Sequence, residues 1–295
     1  MRIFMLSLAG LAILTGVGYW QLTNIPLGSQ LQISKNASWY DDYYTIEYID
    51  ANTIAIGEPR YYQKNYNYLI LGEDRAILFD TGPGVRNIRP LVKSLTSLPI
   101  TVIASHLHYD HIGNHDKFEN VALLDTAQIR KQTQRQAFIP SHAQHLGLIE
   151  GIKKPVLKVS EWLTHGQDIN LGDRRLTVLH TPGHTEDSVM LFDKNRKQLF
   201  VGDFIYEAEL FAFLPGSNVE QYFQSTQNLL SVINPGTTLL SAHGSPQSNR
   251  LPALTHKDLV DLKNTLADMT AGNIEGEGFV LKFFEVNERI SIISD

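Results

Sequence analysis

The stretch Ser105-His106-Leu107-His108-Tyr109-Asp110-His111-Ile112-Gly113 constrains this chain most. It places four metal-competent side chains within six residues, directly after the apolar run from Ile100. A helix would scatter these groups around its circumference, whereas a loop leaving the end of a buried strand can aim imidazole and carboxylate at one point. A lone histidine is usually solvated or structural. Four such groups at this spacing, in a chain without a single cysteine, read as half of a metal site.

Three later positions complete a set. The strand-like run Arg175 to Leu179 empties into His180-Thr181-Pro182-Gly183-His184-Thr185, Gln198 to Val201 ends at Gly202-Asp203, and Thr238 to Ser241 ends at Ala242-His243-Gly244. Each candidate follows a short apolar segment and sits beside glycine, as residues on loops at one end of a sheet sandwich do. Imidazole with carboxylate suits zinc, iron or manganese, and the lack of thiolate removes iron–sulfur and cysteine-rich structural zinc. Structural zinc sites are closed four-ligand cages, so seven candidates leave room for a water between two metals, which points to catalysis.

Together these residues resemble the metallo-β-lactamase superfamily, whose order of His-x-His-x-Asp-His, a distant His, an Asp and a last His is present here over about residues 45 to 245. The resemblance implies that His106, His108 and His184 hold a first zinc, that Asp110, His111 and His243 hold a second, and that Asp203 bridges them. It implies an α/β fold, the four-layered αβ/βα sandwich, with the site at the edge where the metal loops converge. It also implies a hydrolase in which two zinc ions share a water, lowering its pKa from about 15.7 to about 7. The shared hydroxide would attack an acyl carbon, with Asp110 orienting it and relaying its proton. Tyr206, three residues beyond Asp203, matches the spacing of a tyrosine near the metals in the lactone-cleaving branch, where a phenol can donate to a developing oxyanion. Asp80 matches an acidic position that supports the metal loops from behind.

Branch assignment follows finer marks. True metallo-β-lactamases lack the bridging carboxylate supplied here by Asp203, and several use a cysteine, so a dedicated β-lactamase is disfavoured. The segments 168–173 and 199–216 resemble the glyoxalase-II-like and acyl-CoA-thioesterase-like branches, which favours a small acyl substrate joined as thioester or ester. Lactonase and phosphodiesterase activity stay open, as does a di-iron redox protein. The flavodiiron relatives of that last kind carry a Glu in the first motif and a flavodoxin domain, and neither is present. The usual Gly-His-Thr-x-Gly-Ser reads Gly183-His184-Thr185-Glu186-Asp187-Ser188, where Asp187 is expected to tolerate a left-handed turn.

The first residues form a separate element. Ile3 to Trp20 are eighteen residues without a charge, which as a helix would reach about 27 Å, close to the hydrocarbon thickness of a bilayer. Residues 1–22 therefore read as a signal peptide or, given Tyr19-Trp20, a retained anchor. Arg2 would stay in the cytoplasm, the domain would lie outside it, and 23–38 would be a tether. The hydrolase domain is placed at 39–295.

The 43% hydrophobic content supports one large core, and the net charge of −6 argues against a nucleic-acid backbone as partner. Strands are expected at 45–49, 53–56, 67–71 and 76–79, a helix near 88–95, another across 126–137, and a strand at 279–286. Val219, Tyr222, Phe223, Thr226, Leu229 and Leu230 recur at helical spacing, as do Leu259, Leu262, Leu266 and Met269; these are core stripes. His115, His142, His145, His165, His180 and His256 match no ligand position. Arg250, Lys257 and Lys282 are isolated basic residues without an assigned role.

Overall fold

A computed structural model describes residues 32–246 and 248–295. The first sheet joins β1 (Ser38–Trp39), β2 (Thr45–Asp50), β3 (Thr53–Gly57), β4 (Tyr66–Leu71), β5 (Ala76–Phe79), β6 (Ile100–Ile103), β7 (Asn120–Leu124), β8 (Ala137–Phe138) and β9 (Leu157–Leu163), in the order β1-β2-β3-β4-β5-β6-β7-β9-β8. The second runs β10-β11-β12-β13-β15-β16, from β10 (Asp168–Asn170), β11 (Arg175–His180), β12 (Val189–Asp193), β13 (Gln198–Gly202), β15 (Thr238–Ser241) and β16 (Ala253–Leu254). A third, small sheet of β14 (Glu209–Phe211), β18 (Ile290–Ser294) and β17 (Lys282–Asn287) was not anticipated.

Alternation along the second sheet builds the layers. Val178, Leu191, Phe200 and Leu240 pack with the first sheet in one core. Their neighbours Leu179, Met190, Leu199 and Leu239 face a second core, shared with the helices Val219–Val232 and His256–Ala271. Because side chains alternate faces along a strand, a run apolar on both phases must be covered on both sides. The helix Arg89–Leu95 adds Leu91 and Val92 to the first core. We label the helices α1 (Arg89–Leu95), α2 (Tyr109–Ile112), α3 (Ala127–Gln132), α4 (His142–His145), α5 (Val219–Val232) and α6 (His256–Ala271).

Several expectations change. The helix expected across 126–137 ends at Gln132: Thr126 caps it by accepting from the Ile129 amide, and Arg135 and Gln136 adopt left-handed backbone that turns the chain into β8. The last hairpin begins at Lys282, not Phe279. Asp187 is not left-handed, so the turn after His184 does not need the conformational tolerance expected of it. Ser38, at the end of the expected tether, already pairs with Ile46. Among the described residues no helix is long and apolar enough to cross a membrane; the apolar helix expected at 3–20 lies outside them.

Topology places the loops. β5 and β6 are parallel, β13 and β15 are parallel, and β11 shares their direction through two antiparallel pairings. The C-terminal ends of these strands therefore open on one edge, where ligand sites in such sheets form.

Candidate metal centre

Four loops and one helical turn deliver the site. After β6 the chain bends through His106 to an extended His108, then turns into the one-turn helix α2 with Asp110 and His111. The motif is thus half loop and half helical turn. His184 follows β11, Asp203 follows β13 and His243 follows β15. A register shift between Phe200 and Gly202 redirects the end of β13. Gly202 has φ 55°, and a Cβ there would lie 2.5 Å from Ser105 Cβ, so only glycine lets the two metal loops approach this closely. Gly183 likewise has φ 156°, with helix α5 filling the space a Cβ would take, 2.6 Å from Tyr222 Cα.

All seven residues expected from the sequence converge, in two groups. In the first, His106 Nε2 lies 2.8 Å and His184 Nε2 3.3 Å from His108 Nδ1. In the second, His243 Nε2 is 3.0 Å and His111 Nε2 3.3 Å from Asp203 Oδ1, and both imidazoles lie 3.4 Å from Asp110 Oδ2. Asp203 also faces the first group, with Oδ2 3.8 Å from His184 Nε2 and 4.0 Å from His106 Nε2. Candidate ligand atoms within each group lie within 4.8 Å of one another, and every one of these residues is buried.

Neighbouring groups fix the rings. Ser105 Oγ is 3.0 Å from His106 Nδ1, the Phe211 carbonyl 2.9 Å from His184 Nδ1, and the Gln63 carbonyl 3.0 Å from His243 Nδ1. Asp80, left-handed at φ 64°, accepts from the Ser105 amide at 2.6 Å and lies 3.0 Å from His111 Nδ1, as the resemblance implied. Asn65 Nδ2 donates to the Asp110 carbonyl at 2.9 Å. Such contacts orient metal ligands in advance. Asp187 is half-buried, and desolvation pushes its carboxyl up to about 6 against hydrogen bonds from Thr185 and the Leu107 main chain. It ties the His184 loop to the His106–His108 loop.

Electrostatics separate the two groups. Burial keeps His106, His108 and His184 neutral, with repulsion from neighbouring imidazoles adding to it for His106 and His108, and His108 is lowered to about 3. Neutral imidazole is the form that binds a metal. Burial also opposes charge on His111 and His243, but Asp203 and Asp110 overcome it and raise both. Burial works against ionising Asp203 and Asp110 as well, and the two histidines outweigh it, holding both carboxylates well below their usual range. His111 Nε2 and Asp203 Oδ1 are buried and short of hydrogen bonds despite their 3.3 Å separation. Two donors directed at a common third point have this geometry, and the residues fit a cation in each group.

The remaining candidates sit differently. Tyr206 packs edge-on to His243 with ring centroids 5.3 Å apart, but its phenol donates to the Glu209 carbonyl at 2.7 Å. His145 is buried beside Tyr109, His115 bonds Thr81, and His180 bonds the Glu186 carbonyl; none joins the cluster. Above the site lies a cavity of about 490 Å³, whose wall includes Tyr62, Lys64, Leu146, Tyr206, Phe211 and Leu214.

The family model described as Lactamase_B, metallo-beta-lactamase superfamily, matches residues 64–244, and the chain belongs to that superfamily. Acyl-coenzyme A thioesterase MBLAC2 of Gallus gallus is 30% identical over 206 residues, spanning 61% of this chain and 72% of its own length. Probable metallo-hydrolase YqgX of Bacillus subtilis is 25% identical over 192 residues, spanning 65% of this chain and 88% of its own. Among solved structures, the metallo-beta-lactamase from Pontibacter korlensis superposes with a TM-score of 0.57 at 16% identity, over 76% of this chain and 99% of that one. That likeness is one of fold alone.

Proposed function

We propose that this chain is a two-metal hydrolase of thioesters, with zinc as the metal and oxygen esters as secondary substrates. The observation that carries the reading is the pair of buried groups of candidate ligands, with Asp203 in the second and facing the first, at the foot of a cavity with an apolar wall. The likeness to an acyl-coenzyme A thioesterase supports the choice of bond. Divalent cations held there would supply ionised water at neutral pH and polarise the acyl oxygen.

The chain's own groups do the rest. Leu146, Phe211 and Leu214 offer an acyl group a surface from which water is excluded. The Asp110 carboxylate, ionised and held through Asn65, can accept the proton of an attacking water and pass it to the departing sulfur. Asp203 keeps the two ligand groups at fixed separation by facing both. Tyr206 supports a second reading, lactone cleavage, since its ring lies against His243; its proton, however, is committed to Glu209.

The test is a rate comparison on zinc-loaded protein with an acyl-coenzyme A, a glutathione thioester, an acyl-homoserine lactone and a phosphodiester. One of the thioesters is expected to have the highest kcat/KM. A lactone or phosphodiester turned over faster than both would replace this reading.

A further inference from the structure

We infer that Lys64 is a specificity-determining residue that binds an anionic group on the thiol side of the substrate, so that this side leaves the metal centre through the groove beside Gly244. The inference rests on the thioesterase reading and adds a direction and a charge to it.

Lys64 is placed by its backbone. It stands at φ 49°, a left-handed conformation unfavourable for a residue with a Cβ. Its amide donates to the Tyr61 carbonyl at 2.9 Å, and its carbonyl accepts from the Gly244 amide at 2.9 Å, one residue past His243. Among the described residues, two of the six non-glycine residues with positive φ, Lys64 and Leu146, line the cavity. One brings a cation and the other an apolar side chain to the cavity wall.

The side chain is underused. Lys64 Nζ donates to the Ser245 carbonyl at 3.0 Å, which occupies one of three N–H bonds. Among the described residues it has no ion-pair partner. Lysines 117, 257 and 282 each have one, with Asp116, Asp261 and Glu275. Apart from the histidines, Lys64 is the one cationic residue among those described around the cavity.

The shape of the site gives the direction. A second groove, of about 370 Å³, shares only Lys64 and Gly244 with the cavity and is otherwise walled by residues such as Thr45, Tyr66, Ser248 and Asn249. Arg250, which follows Asn249 and bonds Ser248 Oγ at 3.1 Å, has its guanidinium 3.9 Å from Glu207, so Lys64 is the cation left to this rim. The apolar wall residues Leu146, Phe211 and Leu214, and the carboxylate Glu209, belong to the cavity and not to the groove. An acyl chain matches the first set. A thiol carrying phosphate or carboxylate matches the second, away from Glu209.

The test uses binding, so it does not depend on turnover. Calorimetric titration of zinc-loaded full-length protein compares three uncleavable thioethers: S-ethyl coenzyme A with phosphates, S-ethyl glutathione with carboxylates, and S-ethyl N-acetylcysteamine with no charge. At least one anionic thioether is expected to bind about tenfold more tightly than the neutral one, the scale of a charge-assisted hydrogen bond at a half-buried site. Lys64→Met should remove most of that preference while leaving the neutral compound's affinity unchanged, and Lys64→Arg should keep it. The arm that responds identifies phosphate or carboxylate. The inference is overturned if neither anionic compound is preferred, if Lys64→Met leaves the preference intact, or if it weakens all three alike. Failure of the thioesterase reading would show separately, as no thiol release from the matching S-acetyl compounds.

Discussion

Strand β13 starts in one buried polar cluster and ends in another. At its start, Gln198 joins Arg174, whose guanidinium donates to Asp193 at 2.6 Å, to the Asn52 carbonyl at 2.8 Å, to Thr53 at 2.9 Å and to Gln198 itself at 3.1 Å. Arg174 is 1% exposed and pins the two main sheets together with its donors satisfied. At the other end, Asp203 faces four imidazoles, with buried atoms left short of partners and histidines that repel one another. Equal burial therefore marks two different uses of polarity. A satisfied cluster fixes the fold, while one that pays for itself only with added positive charge marks a site for cations.

That contrast can be broken by exchanging the outcomes. Asp203→Ala should cut turnover by more than about 100-fold, beyond the cost of losing an outer partner of a metal ligand. Metal content measured on the same sample should fall with it, while circular dichroism keeps its shape. Arg174→Ala should do the reverse. It takes from the buried Asp193 carboxylate its 2.6 Å partner, leaving it the Arg196 guanidinium at 3.5 Å and the Arg196 amide at 2.9 Å, and should cost about 3 kcal/mol in denaturant unfolding, with metal content per folded molecule unchanged. Arg174→Met combined with Asp193→Leu should regain at least about half of that loss, because an apolar pair removes the buried charge. If the double variant is no better than the single one, the cluster is not the self-contained pin described here.

Tyr206→Phe sharpens the boundary of the site. With its proton on Glu209, the phenol's removal should lower kcat by less than about tenfold, the value of one neutral hydrogen bond; a loss of several hundredfold would return Tyr206 to the reacting atoms.

The smallest effect concerns pH. His108 and His115, both lowered to about 3, stay neutral in the folded chain while the unfolded chain binds protons below about 6.5, so stability falls on acidification through that window. His111 and His243 are raised, so their contribution is full below about 6.5 and is lost as pH climbs through their folded values. The melting midpoint of metal-free protein should peak near about pH 6.5. A midpoint that rises steadily to pH 9 would contradict the protonated state assigned to the second group.

The seven candidate ligands were legible in sequence because four crowd into residues 106–111 after an apolar run, while His184, Asp203 and His243 each follow a strand-like run beside a glycine. Their supports were mostly hidden. The carbonyls of Phe211 and Gln63 hold His184 and His243 from 27 and 180 residues away, and a main-chain oxygen leaves no mark of residue type. Asp80 was the exception, being a side chain at the end of an apolar strand. Lys64 drew no reading from the sequence, since nothing in its neighbours shows that the turn before β4 docks against the end of β15. The 126–137 helix failed for a local reason: Arg135 and Gln136, neither of them a glycine, take up left-handed backbone that composition did not signal. The third sheet was missed because its β14–β18 pairing joins segments about 80 residues apart.

The central claim is that two cations share Asp203, and titration of zinc into chelator-stripped protein measures it directly. Two equivalents are predicted for the unaltered chain, with His184→Ala and His243→Ala each losing one. A single equivalent, or none, in the unaltered protein would contradict the account.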